Sequence, residues 1–155
     1  MNIPFLIAQH VLDVHEGGNW TEVDITSTLK DITFQQAVLL TPGSPNTIAA
    51  LLHHLTYWNR VMVSRLNGTV VNVPEANGYD VPVLSAEQDW EDIKVDNLRS
   101  ARELASAILS FQKQDLSKPI LPGYPSAYKS LQGSVEHIHY HLGQIVILKH
   151  LVEGK

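Results

Sequence analysis

The sequence predicts an all-α protein, a four-helix bundle with long crossover connections. Apolar residues recur at helical spacing over four long segments, and strand signal is weak. The segments are separated by connectors rich in Pro, Gly and Asn, the residues that punctuate regular structure. At 155 residues the chain reads as one domain, residues 1–155, long enough to bury a core without staples.

Each element has a local reason. Residues 3–16 form an amphipathic helix closed by Gly17-Gly18. Residues 19–44 are mixed, with a short helix expected at about 33–39. The second long helix is expected to open at Ser44-Pro45, a hydroxyl N-cap followed by proline at the first helical position. It runs through TIAALLHHLTYWNRVMVSRL to a stop at Asn67-Gly68. The stretch 69–84, TVVNVPEANGYDVPVL, carries two prolines and an Asn-Gly pair and is expected to be a long loop, able to act as a lid.

Ser85 opens a third helix with Gln88 at the capping-box position. Trp90, Ile93, Leu98, Leu104, Ile108 and Phe111 carry that helix to about 113. After Pro119, Pro122 and Pro125 a fourth helix starts near Ser126 and ends before Gly154. The first and third connectors are long for a simple up-down bundle, which is why crossovers are expected.

Composition narrows the chemistry. The formal charge of −5 and pI near 5.8 disfavour nonspecific nucleic-acid binding, and Arg60, Arg65, Arg99 and Arg102 form no basic face. No apolar run reaches the ~18 residues needed to span a membrane. The N-terminal segment lacks a basic n-region, so a cytoplasmic protein is expected. There are no cysteines, which excludes disulfides, thiolate metal sites and a cysteine nucleophile. Any transition-metal site must be built from imidazole and carboxylate.

Eight histidines supply the imidazole, three of them in EHIHYH. At about 100° per residue, His141 lies about 40° from His137 on one helix face, whereas His139 lies about 200° away. The face shared by His137 and His141 also holds Ser130, Gly133, Ser134 and Gln144, a polar, small-residue patch. On the second long helix, His54 falls at the edge of the apolar arc beside Trp58, and His53 points outward. A pair at i, i+4 and a third imidazole on another helix make a facial set that leaves coordination positions open. The same patch also reads as a satisfied polar network, and spacing does not separate the two.

For His10, His15, His53, His139 and His150 a surface or packing role is expected, with a minor pocket role open to His10. The site is not an HExxH zincin, because position 138 is Ile, and there is no GxSxG, P-loop or GxGxxG motif.

HIHYHLGQIVILKH resembles the last-helix signature of the DinB/YfiT-like superfamily of DNA-damage-inducible proteins, H-x₃-H followed by a Gly-Gln-Ile step. TIAALLHHLTYWNRVMVSRLNG resembles its second helix, NWTEVDITSTLKDITFQQA its first connector and DWEDIKVDNLRSARELASAI its third helix. The resemblance implies a metal-binding four-helix bundle, commonly a homodimer, with ligands at His54, His137 and His141. It also implies Zn or Ni, and in some branches activation of an exogenous low-molecular-weight thiol. One ion per chain is expected, and imidazole ligands suit Fe as well.

The function expected is therefore a metal-dependent thiol S-transferase or hydrolase acting on a small molecule. Gln144 and Tyr140 would orient ligands, Ser134 would line the site, and Trp58 and Tyr57 would wall the pocket. The alternative is a non-catalytic stress-response or scaffold bundle stabilised by its metal.

Overall fold

The computed structural model describes residues 2–111 and 115–154. Six helices occur among them: α1 (Ile3–Glu16), α2 (Ile25–Leu29), α3 (Phe34–Ala37), α4 (Ile48–Leu66), α5 (Glu87–Ser110) and α6 (Ala127–Val152). The described residues contain no strand. None of these helices is long and apolar enough to cross a membrane.

The four long helices make the bundle. α4 packs on α5 and α6, and α1 packs on the same two, so α1 lies diagonal to α4 and α5 diagonal to α6. The α1–α4 and α5–α6 connections therefore cross the bundle, and these are the two connectors expected to do so. Residues 67–86 join the neighbours α4 and α5 as an extended loop without strand pairing.

Local chemistry sets the boundaries. Asn2 caps α1 by accepting from the Phe5 amide, and the helix ends where Gly17 takes φ +104°. α4 begins three residues later than expected. The Ser44 hydroxyl is used in a turn, accepting from the Asn46 amide, and Thr47 caps α4 through the Ala50 amide. α5 is capped by Asp89 rather than Gln88. One Asp89 oxygen accepts from the Ser85 amide and hydroxyl and from the Ala86 amide, while Gln88 bonds Asp92. α5 stops at Ser110, and the expected end near 113 lies outside the described residues. Ser126 caps α6 as expected.

The core is one cluster fed by all four long helices. Along α6, Leu131, Val135, Ile138, Leu142 and Ile145 are buried at spacings of three and four, so truncating any of the leucines or isoleucines to Ala would cost ~2–5 kcal/mol. Trp90 is fully buried and donates its indole N–H to the Ile32 carbonyl at 2.7 Å, fastening α5 to the α2–α3 connector. This packing fixes α4 against α6, the pair that holds the histidines.

Candidate metal centre

His54, His137 and His141 come together between α4 and α6, each offering a ring nitrogen, with these atoms within 4.8 Å of one another. His54 and His141 are buried and His137 is half-buried, so His137 forms the accessible edge. Ring centroids lie 5.0 Å (His54–His137), 4.7 Å (His54–His141) and 4.6 Å (His137–His141) apart.

Two of the three rings are oriented by acceptors behind them. His54 donates its Nδ1–H to the Asn77 carbonyl at 2.6 Å, which leaves Nε2 as a lone pair aimed inward. His141 donates its Nδ1–H to Gln144 Oε1 at 2.6 Å, and Gln144 in turn donates to the Tyr140 hydroxyl at 3.3 Å. Gln144 and Tyr140 are thus both placed behind His141. His137 and His54 face each other Nε2 to Nε2 at 3.0 Å. Without a cation one of these nitrogens must carry a proton, and His54 already uses its own on Nδ1. The shared position is filled by the His137 proton or by a metal ion.

The donor set fits such an ion. Imidazole nitrogens bind Zn at ~2.0–2.1 Å, so ligand nitrogens sit at most ~4.2 Å apart. A 3.0 Å pair is within that limit, and the 4.8 Å envelope closes with a small ring adjustment. Burial, with His141 next and His53 behind, lowers the His54 pKa to about 4. Burial, then His141 and His54, lowers that of His137 to about 3, and burial lowers that of His141. All three imidazoles are neutral at pH 7, the form that binds metal.

The 67–86 loop contributes what sequence reading missed. Tyr79 stacks flat on His54, centroids 4.0 Å apart. The Asn77 side chain accepts from the Trp58 indole at 3.1 Å, and the Gly78 carbonyl accepts from His53 Nδ1 at 2.9 Å. His53 is therefore tied to the loop rather than free at the surface. Asn77 and Gly78 both take positive φ, +51° and +78°, as the central pair of a type I′ turn requires. A Cβ on Gly78 would lie 2.6 Å from Tyr57 Cγ, so only glycine fits. The Asn-Gly pair was legible as a turn, but the carbonyl it delivers was not.

A cavity of about 320 Å³ opens beside His137, lined by Trp58, Arg65, Tyr124, Ser130, Ser134 and their neighbours. Trp58 and Ser134, both expected at the site, line this cavity. Tyr57 does not wall this cavity: one position along α4 turns it about 100° away, and it lines a separate depression with His53 and Arg60.

The remaining histidines lie elsewhere. His10 meets His139 across α1 and α6 at 3.2 Å, and His150 is exposed. His15 is buried, 1 % exposed, donating to the Val11 carbonyl at 2.7 Å.

Three imidazoles converging from two helices of a bundle form a set that could hold a metal ion. The family model described as the DinB superfamily matches residues 18–145. The chain belongs to the DinB superfamily. No curated protein and no solved structure matches it.

Proposed function

We propose that this protein is a metal-dependent enzyme, with His54, His137 and His141 holding one divalent ion, Zn or Ni in the first place and Fe next. The reaction proposed is transfer of a small exogenous thiol to an electrophile, or hydrolysis. The observation that carries the reading is the convergence of three neutral imidazoles, one of which, His137, lines a cavity. When bound, the ion lowers the pKa of a thiol or water and stabilises the anion as a nucleophile.

The chain's own residues do the rest. Asn77 and Gln144 hold His54 and His141 in the tautomer that presents Nε2. Tyr79 covers one face of His54 and excludes water from that side. Small side chains at Ser130, Gly133 and Ser134 leave room beside His137 for a molecule to approach. Because the chain has no cysteine, any thiol must come from outside. A homodimer belongs to the same proposal, and Phe5 and Leu6 of α1 are exposed apolar side chains that such a contact would cover.

The second reading, a scaffold whose metal ties α4 to α6, has one observation in its favour. Among the described residues, no Asp or Glu lines the cavity to act as a general base. The test is elemental analysis of protein purified without a metal-affinity step, beside His54→Ala and His141→Ala. About one Zn, Ni or Fe per chain, lost in both variants, is expected. The loaded protein should then conjugate a small thiol to a chromogenic aryl halide, or hydrolyse a chromogenic ester. Metal without either activity selects the scaffold, and no metal at all removes both readings.

A further inference from the structure

Arg65 lies in the cavity that starts at His137, and its charge has no partner among the described residues. The guanidinium carbon is 5.3 Å from the Trp58 ring and 5.0 Å from the Tyr124 ring, so two aromatic faces hold it in place. Its Nε is buried without a hydrogen-bond partner. Among the described residues it makes no ion pair, whereas Arg60, Arg99 and Arg102 each meet a carboxylate. The chain carries 16 acidic residues, and none of them lines this cavity. Lys129 is a second cation on its wall.

A buried donor without an acceptor is a cost to the fold unless something else supplies the acceptor. Aromatic contacts preserve the charge and fix the plane of the guanidinium, but they leave its N–H edge unused. That edge matches the two oxygens of a carboxylate. Trp58 links the two ends of the cavity. Its indole is fixed by Asn77, its ring lies 6.0 Å from His137, and Arg65 sits over it.

We propose that Arg65 is an anion-binding residue of this cavity, and that the molecule acted on at the histidine centre carries a carboxylate at its far end. The inference rests on the metal-centre reading for which end reacts; the anion subsite itself does not need the metal. A molecule touching both ends spans less than the 5.3 Å and 6.0 Å steps together, roughly a six-carbon chain. Small-molecule specificity in such a site comes from a few placed polar groups in an otherwise apolar wall, and Arg65 is that group here.

The probes are 6-mercaptohexanoate and 6-mercaptohexan-1-ol, alike in length and thiol and differing in charge. Each is titrated into the full-length, nickel-loaded protein, with binding followed by the thiolate-to-nickel absorption band. Wild type should bind the carboxylate thiol about tenfold tighter, as one charge-assisted hydrogen-bonded pair provides. Arg65→Met, which keeps packing on both rings, should abolish the preference, and Arg65→Lys should restore part of it. Equal affinities in wild type, or a preference surviving in Arg65→Met, overturns the proposal.

A parallel titration of metal-free protein with hexanoate and hexan-1-ol follows the Arg65 Nε–H and Trp58 indole resonances. Shifts with hexanoate alone support the anion subsite even if no metal binds, a result that would sink the metal reading by itself. Unmoved resonances at saturating hexanoate overturn the subsite whatever the metal does.

Discussion

Replacing Gly78 with alanine tests whether the loop carbonyl that orients His54 is held by a fit only glycine allows. Gly78 sits at φ +78°, where an L-residue costs about 1–2 kcal/mol. The added Cβ would lie 2.6 Å from Tyr57 Cγ and 2.7 Å from its Cβ, against ~3.5–4.0 Å for ordinary carbon contact. Rotation about χ1 moves Cγ but leaves Cβ in place, so rotation alone cannot relieve the clash. Either the loop or α4 must move, an overpacking cost of about 1–3 kcal/mol. The reduced freedom of the unfolded chain returns about 0.4–1 kcal/mol, leaving a net loss near 3 kcal/mol.

Urea denaturation of metal-free protein measures the loss, and a double-mutant cycle with Tyr57→Gly separates its parts. Tyr57→Gly removes all three clashing atoms, Cβ, Cγ and Cδ1, so about 2 kcal/mol of the loss should disappear and the backbone part should stay. Tyr57→Ala retains the Cβ and should recover much less. Movement of the Asn77 carbonyl should also weaken metal binding by about 10–100-fold. A loss below about 0.5 kcal/mol, the level of an ordinary surface change, would refute the argument. So would a cycle with no coupling.

Three further outcomes are expected. Gln144→Leu removes the acceptor behind His141, and metal affinity, measured by chelator competition, should fall about 10–100-fold while the fold survives. Burial holds the His15 pKa near about 4 against 6.5 unfolded, so the unfolded chain binds more protons between those values. Stability is full above pH 6.5 and is lost as pH falls toward 4: about 2 kcal/mol between pH 7 and 5, absent in His15→Leu. Identical pH slopes in the two proteins would count against it. With His54 near 4 and His137 near 3, protons compete weakly with metal, so affinity should change little from pH 8 to 6. A tenfold weakening per pH unit across that range would contradict the neutral triad.

The long helices were legible because their signals are local and repeated. α6 shows apolar residues every three or four positions behind a serine cap, and no tertiary contact is needed to read it. α2 was missed because five residues make little more than one turn, too short for a period to register, though Asp24 caps it plainly. The start of α4 was misplaced because two hydroxyl residues stand three apart, and both Ser44 and Thr47 accept from a backbone amide two or three residues on. Only the packing of α4 shows which of them begins a helix.

The three histidines were legible for the same local reason, as angles on two helices. Asn77 and Tyr79 were not. The Asn77 contribution to His54 is a main-chain oxygen 23 residues away, and any residue type carries one.

Two polar clusters lie on α4, and they differ in how their donors and acceptors are matched. In one, Asn59 donates to Ser100, Ser100 donates to the Asn97 carbonyl, and Asn97 donates to Thr56, which donates to the Leu52 carbonyl. Every step pairs a donor with an acceptor, so the cluster is complete without a ligand and fastens α4 to α5. In the other, three imidazoles kept neutral by burial turn nitrogens toward one another, and two of the three have their N–H engaged on the outer side. That leaves acceptors facing acceptors around a common centre, with one proton from His137 to share among them. A structural network built by the same rules would place a hydroxyl or amide donor there. A cluster short of donors and rich in lone pairs would be completed by a cation, and the neighbouring Arg65, a donor short of an acceptor, would be completed by the anion proposed for it. The two deficits have opposite sign and meet at one cavity through His137, the arrangement that the proposed metal and acid would need.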